Sequence, residues 1–188
     1  MRLWFKHGLT GYSAALWLAL GCVLYAGHGK AESLWGAFPA IEGGVIDTAQ
    51  WAGKPFLVVN TASRCAFTRQ YSELQRLYDR YRDAGFGLIA VPSDDFRQEL
   101  GSDAEIKAFC ELNYDIDMPM TTMLKVRGAQ AHPFYQSVKA RTGFEPAWNF
   151  NKVLIGADGA VLATWGSSVK PLAGRITKAI EAELAKAR

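Results

Sequence analysis

Cys65 is the residue whose type and place in the chain point most directly to chemistry. It follows the apolar run 56–59 and precedes a stretch with helical periodicity, so the sequence places it where a strand ends and a helix begins. Backbone N–H groups at a helix start favour negative charge, and Arg64 and Arg69 flank the thiol. These neighbours favour the nucleophilic thiolate. The alternative is a buried, unreactive cysteine, which is a common fate of this residue.

Local patterns predict the elements that position Cys65. Residues 56–59 and 86–91 are uniformly apolar runs, as expected for strands that are buried on both faces. Gly85 ends the helix that lies between them. The apolar face of that helix comprises Tyr71, Leu74, Leu77, Tyr78 and Tyr81. Strand, helix and strand at this spacing indicate a βαβ unit with a parallel strand pair.

Cys110 lies on a second predicted helix. Ser102 and Glu105 form a capping box at its start. The helical spacing then turns Ile106, Phe109 and Cys110 towards the core. We therefore expect Cys110 to be buried.

The remaining elements complete a fold. A strand is expected over residues 123–126 and a short helix over 132–138. Strands over 153–155 and 161–165 flank an Asp-Gly turn and form a hairpin, and the last helix begins near Pro171. The order β-α-β, antiparallel hairpin and closing helix is that of a thioredoxin-like α/β fold, with a central mixed sheet flanked by helices.

The N-terminal segment has the pattern of an export signal. Arg2 and Lys6 precede the uncharged, largely apolar run 9–27. Cleavage after Ala31 would place Gly29 and Ala31 at the small-residue positions, and cleavage after Ala26 is an alternative. The pattern therefore leaves the site of cleavage open.

A retained segment would instead anchor the protein. The run 9–27 is just long enough to cross a bilayer once, and the positive residues before it would remain in the cytoplasm. Lipidation at Cys22 is a third alternative, because the residues before it loosely resemble a bacterial lipoprotein box. We expect a signal peptide or membrane anchor over 1–31 and a folded domain over 32–188. The domain would be periplasmic or anchored to the outer face of the inner membrane.

Composition limits the range of partners. The chain of 188 residues is 49% hydrophobic and 21% charged, which fits one globular domain. Its net charge of +3 comes from residues 1–31, because 18 basic and 18 acidic residues remain after them. The sequence contains no basic stripe of the kind that binds nucleic acid. The three histidines are too scattered to hold a metal, and no cofactor motif is present.

Four blocks of sequence resemble the glutathione peroxidase family. They occur in the family's order, and the resemblance extends over residues 33–187. The blocks are 58–71, 91–101, 105–114 and Trp148-Asn149-Phe150. The resemblance implies a peroxidase that reduces hydrogen peroxide and organic or lipid hydroperoxides, and so protects against oxidative stress.

The resemblance implies a catalytic tetrad of Cys65, Gln98, Trp148 and Asn149. A thiolate that attacks a peroxide oxygen needs donors that stabilise its charge, and the leaving oxygen needs a proton. The amides of Gln98 and Asn149 and the indole N–H of Trp148 are neutral donors suited to this task. Cys65 would become a sulfenic acid while water or an alcohol leaves. Taken singly, Trp148 has a structural role as its alternative, and Gln98 and Asn149 have the alternative of being ordinary surface amides.

The sequence departs from the family pattern around the site. Ala66 replaces a glycine and Arg69 replaces a proline. The loop Phe96-Arg97-Gln98 is one residue short and lacks its glycine, which affects the placement of Gln98.

Arginines flank the blocks that converge on the site. Arg64, Arg69 and Arg97 suggest a positive rim that steers anionic reductants or lipid head groups. The alternative is an ordinary solvated surface, balanced by Asp94, Asp95 and Glu99.

Cys110 stands where family members with thioredoxin-type donors keep a resolving cysteine. The resemblance implies that Cys110 forms a disulfide with oxidised Cys65, which a thioredoxin-like dithiol protein then reduces. Direct reduction by glutathione and a structural Cys110 remain alternatives. Only 37 residues separate Cys110 from Trp148, so the insertion of tetrameric members is absent and a monomer is implied.

Other thiol proteins fit the sequence less well. A thiol-disulfide reductase would need Cys-x-x-Cys, but Thr68 stands three residues after Cys65. A peroxiredoxin would have threonine three residues before the cysteine, where this chain has Ala62. The non-enzymatic alternative is a redox sensor or thiol-disulfide relay that uses a Cys65–Cys110 disulfide.

Overall fold

A computed structural model describes residues 34–186 of the chain. The strands are β1 (Ala37–Pro39), β2 (Val45–Asp47), β3 (Phe56–Thr61), β4 (Gly87–Pro92), β5 (Lys152–Ile155) and β6 (Val161–Trp165). The helices are α1 (Gln70–Tyr81), α2 (Asp103–Tyr114), α3 (Pro133–Thr142) and α4 (Gly174–Lys186).

The central sheet has four strands in the order β4-β3-β5-β6. β3 pairs with β4 in parallel, whereas β5 pairs antiparallel with both β3 and β6. A separate antiparallel pair joins β1 to β2. The predicted βαβ unit, hairpin and mixed sheet are therefore confirmed. Because β3 and β4 are parallel, the loops that follow them emerge at the same edge of the sheet.

Helices cover both faces of the sheet. Every residue of β3 and β4 is buried, and alternate side chains enter two different cores. Leu57 and Val59 pack in the core with α1, α2 and α4, while Phe56 and Val58 pack in the core with α3. This layering explains why the strands read as continuous apolar runs.

The helix α1 forms because its apolar residues recur on one face. Tyr71, Leu74, Leu77 and Tyr81 are buried along that face. A short 3-10 turn follows, and Gly85 ends it in the left-handed conformation at φ 94°. The predicted end of the helix at Gly85 is thus confirmed.

The predicted strand over 123–126 is wrong. Only isolated bridges form here, between Met120 and Ala90 and between Thr121 and Ala40. β4 ends at Pro92, and the N–H of Val126 donates instead to Oδ2 of Asp95 at 2.7 Å. The N–H of Leu124 still donates to the carbonyl of Pro92 at 2.9 Å, but β4 ends there, so no ladder continues beyond it.

Two helix boundaries also differ from the sequence-based expectation. α4 begins at Gly174 rather than near Pro171, after a turn in which the N–H of Ala173 donates to the carbonyl of Lys170 at 3.0 Å. The helix expected over 132–138 is α3, which extends to Thr142. His132 caps α3, because its Nδ1 accepts from the N–H of Phe134.

The predicted export segment lies outside the described residues, as do both cleavage sites and Cys22. Within residues 34–186, no helix is long and apolar enough to cross a membrane.

Candidate active site

Cys65 lies in a series of turns between β3 and α1. Its sulfur accepts a hydrogen bond from the N–H of Phe67 at 3.4 Å, and the residue is 8% exposed. The sequence predicts that such a donor lies in the first turn of a helix. Because α1 begins only at Gln70, the donor belongs instead to the turn that precedes the helix. The N–H is nevertheless placed to interact with a negatively charged sulfur.

Thr68 stabilises the turn that contains Cys65. Its hydroxyl oxygen accepts from the N–H of Cys65 at 2.9 Å. The same oxygen lies 2.8 Å from the carbonyl oxygen of Ala62 and 2.7 Å from that of Cys65. One buried hydroxyl therefore fixes both sides of the turn. This role of Thr68 was not expected from the sequence, although a hydroxyl three residues from a turn residue is a common local cap.

The loop that carries Gln98 is attached to the Cys65 turn. The N–H of Arg64 donates to the carbonyl of Gln98 at 2.8 Å. Next to it, Oε1 of Glu99 accepts from the N–H of Ser63 at 2.9 Å and from that of Leu100 at 2.8 Å. These contacts hold the two loops at a constant separation.

Glu99 is part of this attachment and not of the solvated surface. It is 6% exposed, and its Oε2 has no hydrogen-bond partner within the described part of the chain. Burial raises the pKa of Glu99, although hydrogen bonds from Ser63 and Leu100 oppose the shift. The alternative in which Glu99 belongs to a solvated surface is therefore wrong for this residue. In the sequence, the one feature that indicates a place near the site is that Glu99 directly follows Gln98.

Trp148 and Asn149 lie in the segment between α3 and β5. The Trp148 ring is 42% exposed and packs against Phe96, with the ring centroids 5.3 Å apart. Asn149 is fully buried, and its Nδ2 donates to Oε1 of Gln98 at 3.0 Å. Within residues 34–186, Oδ1 of Asn149 has no partner. The surface-amide alternative for Asn149 is therefore wrong.

Side chains hold the backbone of this segment. The carbonyl of Trp148 accepts from Nδ2 of Asn60 at 3.0 Å and from Nδ2 of Asn151 at 2.8 Å. The carbonyl of Asn149 accepts from the hydroxyl of Ser167 at 2.6 Å. Because the backbone is held in this way, the side chains of Trp148 and Asn149 have defined directions.

The shortened loop still delivers Gln98 to Asn149. Arg97 takes the left-handed conformation, with φ 55°, in the loop where this sequence lacks the glycine of the family pattern. The structure therefore brings together Gln98 and Asn149 through a direct hydrogen bond, and joins both to the Cys65 turn through Arg64.

The arrangement suits a reaction that develops negative charge on sulfur and oxygen. Gln98, Asn149 and Trp148 supply neutral donors, which do not titrate in the physiological range. Among the described residues, Nε2 of Gln98 has no hydrogen-bond acceptor and so remains available to a ligand. Fixed dipoles of this kind stabilise charge without reorganising.

Cys110 is buried on α2, as predicted. It is 1% exposed and lies beside the phenol of Tyr71, in the same core cluster as Cys65. Burial raises the pKa of Cys110 to about 12. Both cysteines are free thiols. On its other side Cys110 lines a cavity of about 110 Å³ together with Ile41 and Ile116.

The three arginines of the expected rim are exposed. Arg64, Arg69 and Arg97 take part in no ion pair within the part of the chain that the structure describes. Arg69 and Lys170 line a cavity of about 490 Å³ that also borders Phe67. Positive charge thus lies beside the Cys65 turn.

The requirements of a metal site are not met among the described residues. Over residues 34–186, no cluster of three or more histidine, cysteine, aspartate or glutamate side chains is arranged to hold a metal ion.

Comparisons with known proteins agree with the geometry. A sequence model of the glutathione peroxidase family matches residues 37–139, which is more than half of the chain. A glutathione peroxidase of Lactococcus lactis subsp. cremoris is 38% identical over 136 residues, which cover 70% of this chain and 87% of that protein. The hydroperoxy fatty acid reductase gpx1 of Synechocystis is 38% identical over 143 residues, which cover 70% and 85% of the two chains.

The fold has a counterpart among solved structures. A thiol:disulfide interchange protein of the thioredoxin family from Chlorobium tepidum superposes with a TM-score of 0.62 at 13% identity, covering 81% of this chain and 94% of that chain. This likeness confirms the thioredoxin-like fold. The family match and the identities of the relatives show that the chain belongs to the glutathione peroxidase family and is an oxidoreductase that reduces peroxides with electrons from thiols.

Proposed function

We propose that Cys65 is the residue that attacks the peroxide. Its thiolate would attack one peroxide oxygen, the O–O bond would break, and Cys65 would become a sulfenic acid. The remaining oxygen would take a proton and leave as water or an alcohol. The observation that carries this proposal is the Phe67 N–H on the sulfur, in a turn joined to the Gln98–Asn149 pair.

Gln98, Trp148 and Asn149 would complete the catalytic group. The buried amide of Asn149 orients Gln98, whose Nε2 can then donate to the sulfur or to the peroxide. The exposed Trp148 would border the open side of the site and offer its indole N–H. These roles follow from the chemistry of the donors and from their attachment to the Cys65 turn.

Cys110 would resolve the sulfenic acid. A bond would form between the two sulfurs, the S–O bond of Cys65 would break, and water would leave with the proton of Cys110. A thioredoxin-like dithiol protein would then reduce the disulfide. Burial in the same core cluster as Cys65 supports this pairing, while the raised pKa of Cys110 implies that α2 must open first.

The open site fits bulky substrates. Trp148 is 42% exposed, and the Synechocystis relative is named for hydroperoxy fatty acids. We therefore include lipid hydroperoxides beside hydrogen peroxide among the substrates. The short connection between Cys110 and Trp148 supports a monomer.

The N-terminal pattern supports an exported protein. Residues 1–31 would act as a signal peptide or as a membrane anchor through 9–27, ahead of the domain 32–188. The peroxidase would then work in the periplasm or on the outer face of the inner membrane.

Steady-state peroxide reduction tests these proposals. Wild-type protein is assayed with glutathione and with a thioredoxin-like dithiol protein side by side, and Cys65→Ser serves as the inactive reference. We expect turnover with the dithiol protein and none in Cys65→Ser. Near-normal turnover in Cys65→Ser would refute the role of Cys65. One round of oxidation without turnover, with either donor, would instead indicate a redox sensor or relay.

A further inference from the structure

A fully buried lysine lies beneath the candidate site. Lys152 begins β5, and its Nζ donates to Oε1 of Gln70 at 2.6 Å and to the carbonyl of Phe150 at 2.8 Å. Burial lowers its pKa to about 7, an effect that Glu73 on α1 partly opposes. A buried ammonium group is costly, and an apolar side chain would fill the space at lower cost. The two hydrogen bonds indicate what the lysine holds in place.

The contact with the carbonyl of Phe150 stabilises an unusual backbone conformation. Phe150 follows Asn149 directly and has φ 60°, in the left-handed region that non-glycine residues rarely adopt. Its N–H donates to the carbonyl of Asn60 at 2.5 Å, and its ring meets that of Tyr71 edge to face at 5.4 Å. The Nζ of Lys152 holds the remaining polar group, the carbonyl. Release of that carbonyl would let Phe150 relax and rotate the segment before it.

The contact with Gln70 connects Lys152 to the same segment by another route. Nε2 of Gln70 donates to the carbonyl of Ser167 at 2.7 Å, and the hydroxyl of Ser167 donates to the carbonyl of Asn149 at 2.6 Å. Gln70 is also the first residue of α1, which follows the Cys65 turn. Lys152 therefore links the start of α1 to both Asn149 and Phe150.

We propose that Lys152 is a positioning residue for peroxide reduction, which holds the Trp148–Asn149 segment in register with the Cys65 turn. This inference rests on the roles proposed above for Trp148 and Asn149. Lys152 itself touches neither the sulfur nor the substrate. Its loss would leave the carbonyl of Phe150 and Oε1 of Gln70 without this donor, so Asn149 would lose its fixed direction towards Gln98.

Two reactions of Cys65 distinguish positioning from general stability. Oxidation by hydrogen peroxide needs a proton for the leaving oxygen, whereas alkylation by iodoacetamide expels iodide and needs none. In Lys152→Met, which keeps the length and apolar stem of the side chain, we expect the oxidation rate constant to fall by about tenfold to a hundredfold. Alkylation, measured at alkaline pH, should stay within about twofold of wild type. Lys178→Met, at an exposed position of α4, is the matched control and should change neither rate.

Three results would overturn the inference. An oxidation rate within about twofold of wild type would show that Lys152 does not position the donors. An equal fall of both rates would show that Lys152 only supports the Cys65 turn. If Lys152→Met does not fold, Ser167→Ala removes the hydroxyl that holds Asn149, and oxidation unchanged relative to alkylation in that variant would also refute the inference.

Trp148→Phe separates this inference from the proposed function. If that variant oxidises as fast as wild type, the proposed role of Trp148 fails. If Trp148→Phe is slow and Lys152→Met is not, the role of Trp148 stands and only the inference about Lys152 fails.

Discussion

The side chains of Gln98 and Asn149 meet in one hydrogen bond of 3.0 Å, although 51 positions separate them in the sequence. The bond joins the loop after β4 to the segment before β5, and the backbone of Gln98 is in turn bound by Arg64 beside the nucleophile. Two donors of the candidate site thus form a single unit.

The Gln98–Asn149 pair should behave as that unit in a mutant cycle. Gln98→Leu and Asn149→Leu are each expected to lower the rate of Cys65 oxidation by about tenfold to a hundredfold. The double variant should be little slower than the slower single variant, because either change removes the shared arrangement. Single-turnover oxidation by hydrogen peroxide measures all three. If the rate of the double variant falls by the product of the two single-variant factors, the two amides act independently.

Trp148→Phe tests the indole donor apart from ring packing. The phenyl ring can keep the contact with Phe96 but lacks the N–H group. Loss of one donor at a site of developing charge costs about 3 kcal/mol, or roughly a hundredfold in rate. The matched control is Trp165→Phe on β6, which should leave the oxidation rate unchanged. A decrease of less than about threefold in Trp148→Phe would assign Trp148 to packing alone.

The cap of α2 should control disulfide formation. The Ser102 hydroxyl accepts from the N–H of Glu105 at 3.3 Å, and Ser102→Ala is expected to destabilise the start of the helix by about 1 kcal/mol. Because Cys110 is buried, it can reach Cys65 only when α2 opens. The Cys65–Cys110 disulfide should then form about fivefold faster after one equivalent of peroxide, as followed by mass spectrometry.

A cap change elsewhere is the control for that experiment. Asp47→Ala removes the side chain that accepts from the N–H of Ala49 and should not change the rate of disulfide formation. Absence of any disulfide, with Cys65 as a sulfenic or sulfinic acid and Cys110 free, would make Cys110 structural. That result would favour direct reduction by glutathione.

The exposed arginines should affect charged reductants selectively. Replacement of Arg69 and Arg97 by glutamine is expected to slow an anionic donor more than a neutral thiol. The difference should shrink as salt is raised, because the Debye length falls from about 10 Å at 0.1 M to about 3 Å at 1 M. Second-order rate constants for the two donors at several salt concentrations measure this. Equal slowing of both donors would exclude steering.

Lys152 should make stability depend on pH. Its folded-state pKa is about 7, below the ordinary value of 10.5, because burial disfavours the ammonium form. Between these values the unfolded chain binds more protons than the folded one, so the free energy of unfolding rises with pH. Relative to Lys152→Met, wild type should gain on the order of a few kcal/mol across this interval.

Urea unfolding of both proteins between about pH 7 and pH 9 measures this difference. Stability curves that run parallel across the range would show that Lys152 keeps its proton in the folded state.

Local patterns were sufficient for most elements of the fold. The burial of Tyr71 and Leu74 on α1 follows from their spacing, and the end of that helix follows from Gly85. Residues 123–126 have the composition of a strand, yet pairing depends on whether a neighbouring strand is free, and β4 has already ended at Pro92. The sequence pattern carries no information about that neighbour.

Sequence alone determined the nucleophile candidate, the βαβ unit, the hairpin and the closing helix, because each depends on residues close together in the chain. Only the tertiary structure decided that Gln98 meets Asn149, that Glu99 is buried, and that Lys152 donates to Gln70. Contacts of this kind join distant segments at the edge of a sheet. They depend on how loops of particular length and backbone conformation pack there, which local periodicity does not encode.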